Sequence, residues 1–238
     1  AGIKAEGIGF DLTLRRIHLA NQSMGVLIDG RGRSLTIEDS LIEQQGHLRG
    51  DLSHLVYGGE IARLVIRNTT LRRSRHLGHL LKSRAAETVV EGSRLLGLDG
   101  NHSRSIDLPC GGTLILRNSV IQHGANSDNA DLFSVWTEPK NCRLIRPGHI
   151  VMTNNWIIST RRATAADPTK PPVPNTLFTW RSTGNNRLTA TGNRIVNIAR
   201  WSGDKSWPVP DLGVGNTLYP DRAAAGLGAN EIPRLPGR

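Results

Sequence analysis

The 238-residue sequence predicts an all-β solenoid, a right-handed parallel β-helix of about seven coils with three strands per coil. Three observations carry that expectation. A pattern of alternating apolar residues, a small polar pair and a further apolar residue recurs, with copies starting at 12, 35, 64, 88, 114, 150 and 188. The steps of 23, 29, 24, 26, 36 and 38 residues lie in the range that marks a stacked repeat. Within each copy the period is two, as in Leu35-Thr36-Ile37 and Leu114-Ile115-Leu116, which belongs to a strand with one buried face. No stretch beyond about ten residues holds a 3.6-residue apolar period, so helices have no source.

Each element of a coil follows in order. The first strand is the alternating run, from Leu12-Thr13-Leu14 to Leu188-Thr189-Ala190. The polar pair after it, Asp39-Ser40, Asn68-Thr69, Asn118-Ser119 or Asn154-Asn155, is turn chemistry. Short polar side chains bond nearby backbone groups, and Asn or Gly tolerates positive φ. A second strand follows, as in Leu41-Ile42 and Val120-Ile121. The third strands are Val26-Leu27-Ile28, Leu55-Val56-Tyr57, His79-Leu80-Leu81, Ser105-Ile106, Leu132-Phe133 and Leu177-Phe178.

The two long steps imply insertions at 137–148 and 161–174, and insertions in solenoids often wall a groove. Coils span about 8–198 of a single domain, and the Pro/Gly-rich tail 199–238, with Trp207, is expected to cap the open end. The chain opens Ala1-Gly2-Ile3 without Met, which fits removal of a leader or of an upstream segment, and an exported protein is expected. It holds no run of 18 apolar residues, so no transmembrane helix is expected.

Thirty Lys plus Arg against 20 Asp plus Glu give a net charge of +10, which favours an acidic polysaccharide or an acidic protein surface as partner. Nucleic acid is disfavoured, because Arg67, Arg94 and Arg117 are dispersed over solvent-facing slots and stacking aromatics are scarce. Cys110 and Cys142 fall just after the third strands of successive coils; a disulfide and two free thiols both remain open.

Aligning the third strands places Ile28, Tyr57, Leu81, Ile106, Phe133 and Phe178 inward and Asp29, Gly58, Lys82, Asp107, Ser134 and Thr179 outward. Coils stack about 4.8 Å apart, which makes Lys82 and Asp107 ladder neighbours. Arg84 and Trp136 lie two positions further along that face and Ser105 two positions before it, with His79, His102, Arg104 and Asn129 flanking. Asp128, Asn129 and Asp131 are oxygen-rich enough to suggest calcium, but turn chemistry explains them, and neither a metal nor another cofactor is expected. Trp136 and Trp156 are candidate sugar platforms, whereas Trp180 is expected in the core.

At Gly78-His79-Leu80-Leu81-Lys82-Ser83-Arg84-Ala85 and Ile106-Asp107-Leu108-Pro109-Cys110-Gly111-Gly112 the chain resembles the right-handed parallel β-helix repeat proteins. That superfamily includes pectate lyases, alginate lyases and epimerases, and rhamnogalacturonan-degrading enzymes. The resemblance is one of architecture over about 8–198; no complete catalytic signature is present. It implies a uronate polysaccharide as ligand, cleaved by β-elimination or epimerised. Such chemistry needs a cation on the carboxylate, a base for the C5 proton and an acid for the leaving oxygen. Lys82 is the candidate base, Arg84 the neutralising cation, and His79 or His102 the acid. Ser105, Arg104, Asn129, Ser134 and Trp136 are the candidate substrate contacts. Asp107 beside Lys82 argues instead for a structural ion-pair ladder, and the alternative function is a non-catalytic accessory subunit docked on a partner. Hydrolysis by paired carboxylates is disfavoured, because Asp107 has no evident acidic companion.

Overall fold

The computed structural model describes residues 1–46, 53–161, 173–180, 185–202 and 213–237. Most of the 161–174 insertion and Trp207 lie outside the described residues. The chain is a β-solenoid of three parallel sheets with seven, eight and eight strands, adjacent strands coming from adjacent coils. Among the described residues there is no α-helix, and one 3₁₀ turn spans Pro139–Asn141.

The first sheet runs from Asp11–Arg15 through Ser34–Glu38, Arg63–Arg67, Glu87–Glu91, Gly112–Arg117 and Gly148–Thr153 to Arg187–Thr191. Leu35, Leu64, Thr88, Leu114 and Ile150 stack in one inward column. The aliphatic members are sealed from solvent, and burying each is worth about 1.5–3 kcal/mol. On the outer face Arg15, Glu38, Arg67, Glu91 and Arg117 alternate in sign, paired at 2.7–3.4 Å. Two glutamates thus bridge the three arginines of this row.

The turns explain why the polar pair repeats. Its first residue, including Asp39, Asn68, Asn118, Asn154 and Gly192, has φ between 47° and 68°, where Asn and Gly enter at least cost. The second residue points inside and accepts a backbone N–H from the coil before it. Ser40 serves Ile17, and Thr69, Ser93, Ser119, Asn155, Asn193 and Asn216 continue the series, each bonding the N–H of the preceding member. Without these acceptors a line of buried donors would stand unpaired.

The second sheet spans His18–Ala20 to Arg194–Val196 and gains an eighth strand, Thr217–Tyr219; the third gains Arg200–Ser202. Coils therefore continue past residue 198. The tail's described part lies along the flank of the second sheet, where Leu227 packs on Ile158 and Val196, and Leu235 on Leu96 and Val120. Those sheet positions are apolar on the outer face and need cover. Trp180 is in the core, as expected, and Trp156 stacks on Tyr219 at 6.3 Å.

The third sheet corrects one register. Val26, Val56, Leu81, Ile106, Phe133 and Phe178 form the inward column, and Tyr57 pairs with Leu27 and Lys82 in the outward row. Gly58, expected outward, faces the core: a Cβ there would lie 2.4 Å from Leu64 Cδ1. A shift of one residue exchanges the faces of a strand.

Candidate functional site

Tyr57, Lys82, Asp107, Ser134 and Thr179 occupy successive rungs of the outward row on the third sheet. Lys82 and Asp107 are direct ladder neighbours, with Nζ 3.7 Å from Oδ2. Asp107 gathers His79 Nε2 at 3.3 Å on Oδ2, and the hydroxyls of Ser134 and Thr137 donate to Oδ1 at 2.6 and 2.8 Å. Burial alone would raise the pKa of this carboxyl. The His79 and Ser134 hydrogen bonds and the Lys82 charge outweigh it and hold Asp107 well below the usual carboxylate range.

His79 is oriented from behind. Its Nδ1 accepts the Arg104 backbone N–H at 3.2 Å, which assigns the ring proton to Nε2, facing Asp107. His54 stacks on His79 at 5.0 Å and on Tyr57 at 5.8 Å, and its Nδ1 accepts the His79 N–H. Burial, then the charges of His79 and Lys82, push His54 well below the usual histidine range, so it serves as a neutral spacer.

Arg84 closes the other side. Its Nε donates to Tyr57 Oη at 2.8 Å, and Nη1 donates to Asn141 O at 3.2 Å. Lys82 Nζ and the Arg84 guanidinium each stand 5.9 Å from the centre of the Tyr57 ring. Both cations converge on one group: Glu138 takes Lys82 Nζ on Oε1 at 2.5 Å and Arg84 Nη2 on Oε2. Burial opposes ionisation of Glu138, but Lys82 and Arg84 prevail and lower its pKa.

Glu138 belongs to the 137–148 insertion, which folds across this sheet. Cys110 and Cys142 are disulfide-bonded, and Arg84 Nη1 lies 3.4 and 3.5 Å from the two sulfurs. Trp136 donates its indole N–H to Arg146 O at 2.6 Å, Gly112 N bonds Pro147 O, and Arg143 N bonds Glu60 Oε1 at 2.9 Å. The expected wall is a cover. Lys82, Arg84, Asp107 and His79 side chains are 1–9% exposed, against 32% for Glu138.

Other expected members sit elsewhere. Ser105 precedes its strand at a bend, is fully buried, and its hydroxyl meets His123 Nδ1 at 3.4 Å. His102 is equally buried, 3.2 Å from His123 and 3.1 Å from Ser127 Oγ. Neither is on the outward face. Arg104 pairs with Asp131 and with Asn129 Oδ1 at 3.1 Å, and Asn129 also donates to Ser103, so these form a separate cluster. Among the described residues no three His, Cys, Asp or Glu converge as a metal site. Trp136 has φ of 63° and its ring rests on Gly111; it supports the loop and offers no free platform.

Sequence reasoning missed Tyr57, Glu138, Thr137 and His54. Glu138 left one signal, as the only acidic residue of the insertion that carries Cys142. It also gives Asp107 the acidic companion it lacked, but both carboxylates are engaged by Lys82, so neither is a free acid or base.

A groove of about 910 Å³ lies between the second sheet and the tail, lined by Gln122, Asn126, Thr160, Asn197 and Arg222. No candidate residue reaches it. Its volume reflects how the tail stands off the sheet, whereas buried charge concentrates on the third sheet. Comparison with protein-family models, with curated proteins and with solved structures returns no match for this chain.

Proposed function

We propose that the protein is an exported solenoid that binds a uronate-bearing polysaccharide through the Lys82, Arg84 and Tyr57 hole on its third sheet. One observation carries this: two cations, each nine-tenths buried, converge on a single carboxylate, that of Glu138. Holding such cations away from water costs several kcal/mol unless an anion is supplied, and a sugar carboxylate has the same chemistry. The disulfide fits an oxidising compartment, which supports export.

In this scheme Arg84 and Lys82 neutralise the uronate, and His79, aligned by Asp107, is the nearest proton carrier. Lys82 Nζ donates to Glu138 and is ion-paired with Asp107 at 3.7 Å, so its amine is turned to two carboxylates and not to a C5 proton. The arrangement favours binding, with Glu138 giving way, over elimination. Elimination or epimerisation, which the likeness to pectate-lyase-like β-helices suggests, requires Glu138 to leave Lys82.

The test is calorimetric titration of Glu138→Gln with a galacturonate oligomer and with a neutral glucan of equal length. Selective binding of the acidic oligomer, lost at least tenfold when Lys82→Ala and Arg84→Ala are added, supports the proposal. Equal affinity for both oligomers, or indifference to the two alanines, overturns it. A non-catalytic subunit docked on a partner protein is favoured by a different observation. The insertion holds Leu144 and Ile145 out to solvent, 55% and 44% exposed.

A further inference from the structure

We infer that the 137–148 insertion is a disulfide-held lid and that Glu138 is an internal ligand, occupying the hole until the lid is released. The inference rests on the hole being a carboxylate site and adds how entry to it is controlled.

Glu138 satisfies what an incoming carboxylate would satisfy: one oxygen on Lys82 Nζ, the other on Arg84 Nη2. It is also the most exposed member of the group, so it forms the layer between the cations and solvent. No external anion reaches Lys82 without displacing it. The competition is intramolecular, and an attached carboxylate acts at an effective concentration set by its tether, in the millimolar range for short links. The disulfide shortens that tether. With Cys142 bonded to Cys110, Glu138 is held four residues from a fixed point, beside its own strand end at Val135. With the bond open, the lid is fixed at Trp136, Arg146 and Pro147 and by the Arg143 bond to Glu60.

The disulfide is placed to be opened. Cys110 is fully buried, whereas Cys142 is half-buried, so a small dithiol reductant approaches the bond from the Cys142 side. Its thiolate bonds to Cys142 Sγ, the Cys110–Cys142 bond breaks, and the electron pair goes to Cys110 Sγ. That leaving thiolate forms 3.4 Å from Arg84 Nη1, a cation that stabilises it. The reductant's second thiol then displaces Cys142, giving two protein thiols and the oxidised, cyclic reductant; two electrons and two protons have moved to the protein.

The experiment titrates a galacturonate trimer into three proteins, each with and without excess dithiothreitol: the native sequence, Glu138→Gln, and Cys110→Ser with Cys142→Ser. Circular dichroism confirms that each is folded. The lid predicts at least tenfold tighter binding by the reduced native protein than by the oxidised one. It also predicts tight binding by Glu138→Gln in both redox states, and a double serine variant that matches the reduced native protein. Amide exchange at Cys142 should accelerate on reduction, while that at Arg143, bonded to Glu60, should not. Equal affinity of oxidised and reduced native protein, with Glu138→Gln still binding through Lys82, overturns the lid and leaves the site standing. Absence of binding in every form, Glu138→Gln included, overturns the site itself. If the double serine variant fails to fold, the redox pair and Glu138→Gln decide the matter.

Discussion

Asp107 is 1% exposed, with His79, Lys82, Ser134 and Thr137 all facing it. Removing the charge from such a group leaves its partners buried and uncompensated, which costs about 3–5 kcal/mol. Asp107→Asn should lose stability in that range, while Ser134→Ala, which removes one donor of several, should lose about 1 kcal/mol. Urea denaturation measures both, and equal small losses would remove Asp107 from the centre of the network. His123 makes the pH argument. Burial holds its pKa down to about 4, against hydrogen bonding to Asn129 O and the charge of Asp131; Arg161 and Arg104 reinforce the depression, and His102 stands against it. A histidine that is neutral when folded and protonates when unfolded makes the unfolded state bind more protons between pH 4 and 6.5. Stability is therefore fully present above about pH 6.5 and falls with acidification, by roughly 1.4 kcal/mol per pH unit for each such histidine. His54 and His102 are depressed in the same direction, so His123→Asn should reduce the slope without abolishing it. An unchanged slope across that window would refute the assignment.

At the scale of elements, the turns were readable because their chemistry is local or repeated. Asn118 announces φ of 50° from its own residue type, whereas Ser119 accepts the Ser93 N–H from 26 residues earlier, one coil back, and was legible because the polar pair recurs along the chain. Ser119→Ala should orphan that donor and cost about 1–3 kcal/mol, seen as a lower urea midpoint; an unchanged midpoint would mean water takes its place. Lys82 beside Asp107 was readable for a related reason, since their 25-residue step has no insertion. Tyr57 was not. Its coil is 29 residues long, and where the extra residues sit decides which face Val56 and Tyr57 take. Glu138 was hidden more deeply, because its place depends on a loop crossing the sheet and on which cysteines pair. Ser105 and His102 failed because strand alternation was extended past the strand's first residue, Ile106, into a bend. The tail's path did leave a trace. Leu96, Val120, Ile158 and Val196 are apolar at outward positions of the second sheet, a surface that needs a cover. The disulfide belongs to this scale too: closing a loop across 32 residues is worth about 3–4 kcal/mol through the unfolded chain.

For the whole molecule, stacking makes stability a sum over coils and their contacts, so it need not be uniform along the axis. The first rung, Ile3–Ile8, Asp11–Arg15 and His18–Ala20, has a coil on one side only; its strands are largely exposed or half-buried, and Ile8 is 79% exposed. The rungs built on Leu81–Ser83 and Ile106–Leu108 have neighbours on both sides, are wholly buried along those strands, and carry the ion network and the disulfide. Local opening therefore begins at the first rung and reaches the central coils last. Native-state hydrogen exchange should show this as a gradient, with Ile3 and Leu12 amides exchanging fastest and Leu81, Leu95 and Ile106 amides opening only with global unfolding. The same gradient tells what the central position of the site does. Lys82, Arg84 and Asp107 lie where backbone opening is most costly, so entry to the hole depends on the insertion moving and not on the coils parting. Equal protection of the first and central rungs would contradict the gradient. Protection at Leu81 that collapses on reduction alone would show that the lid and the coil beneath it move as one.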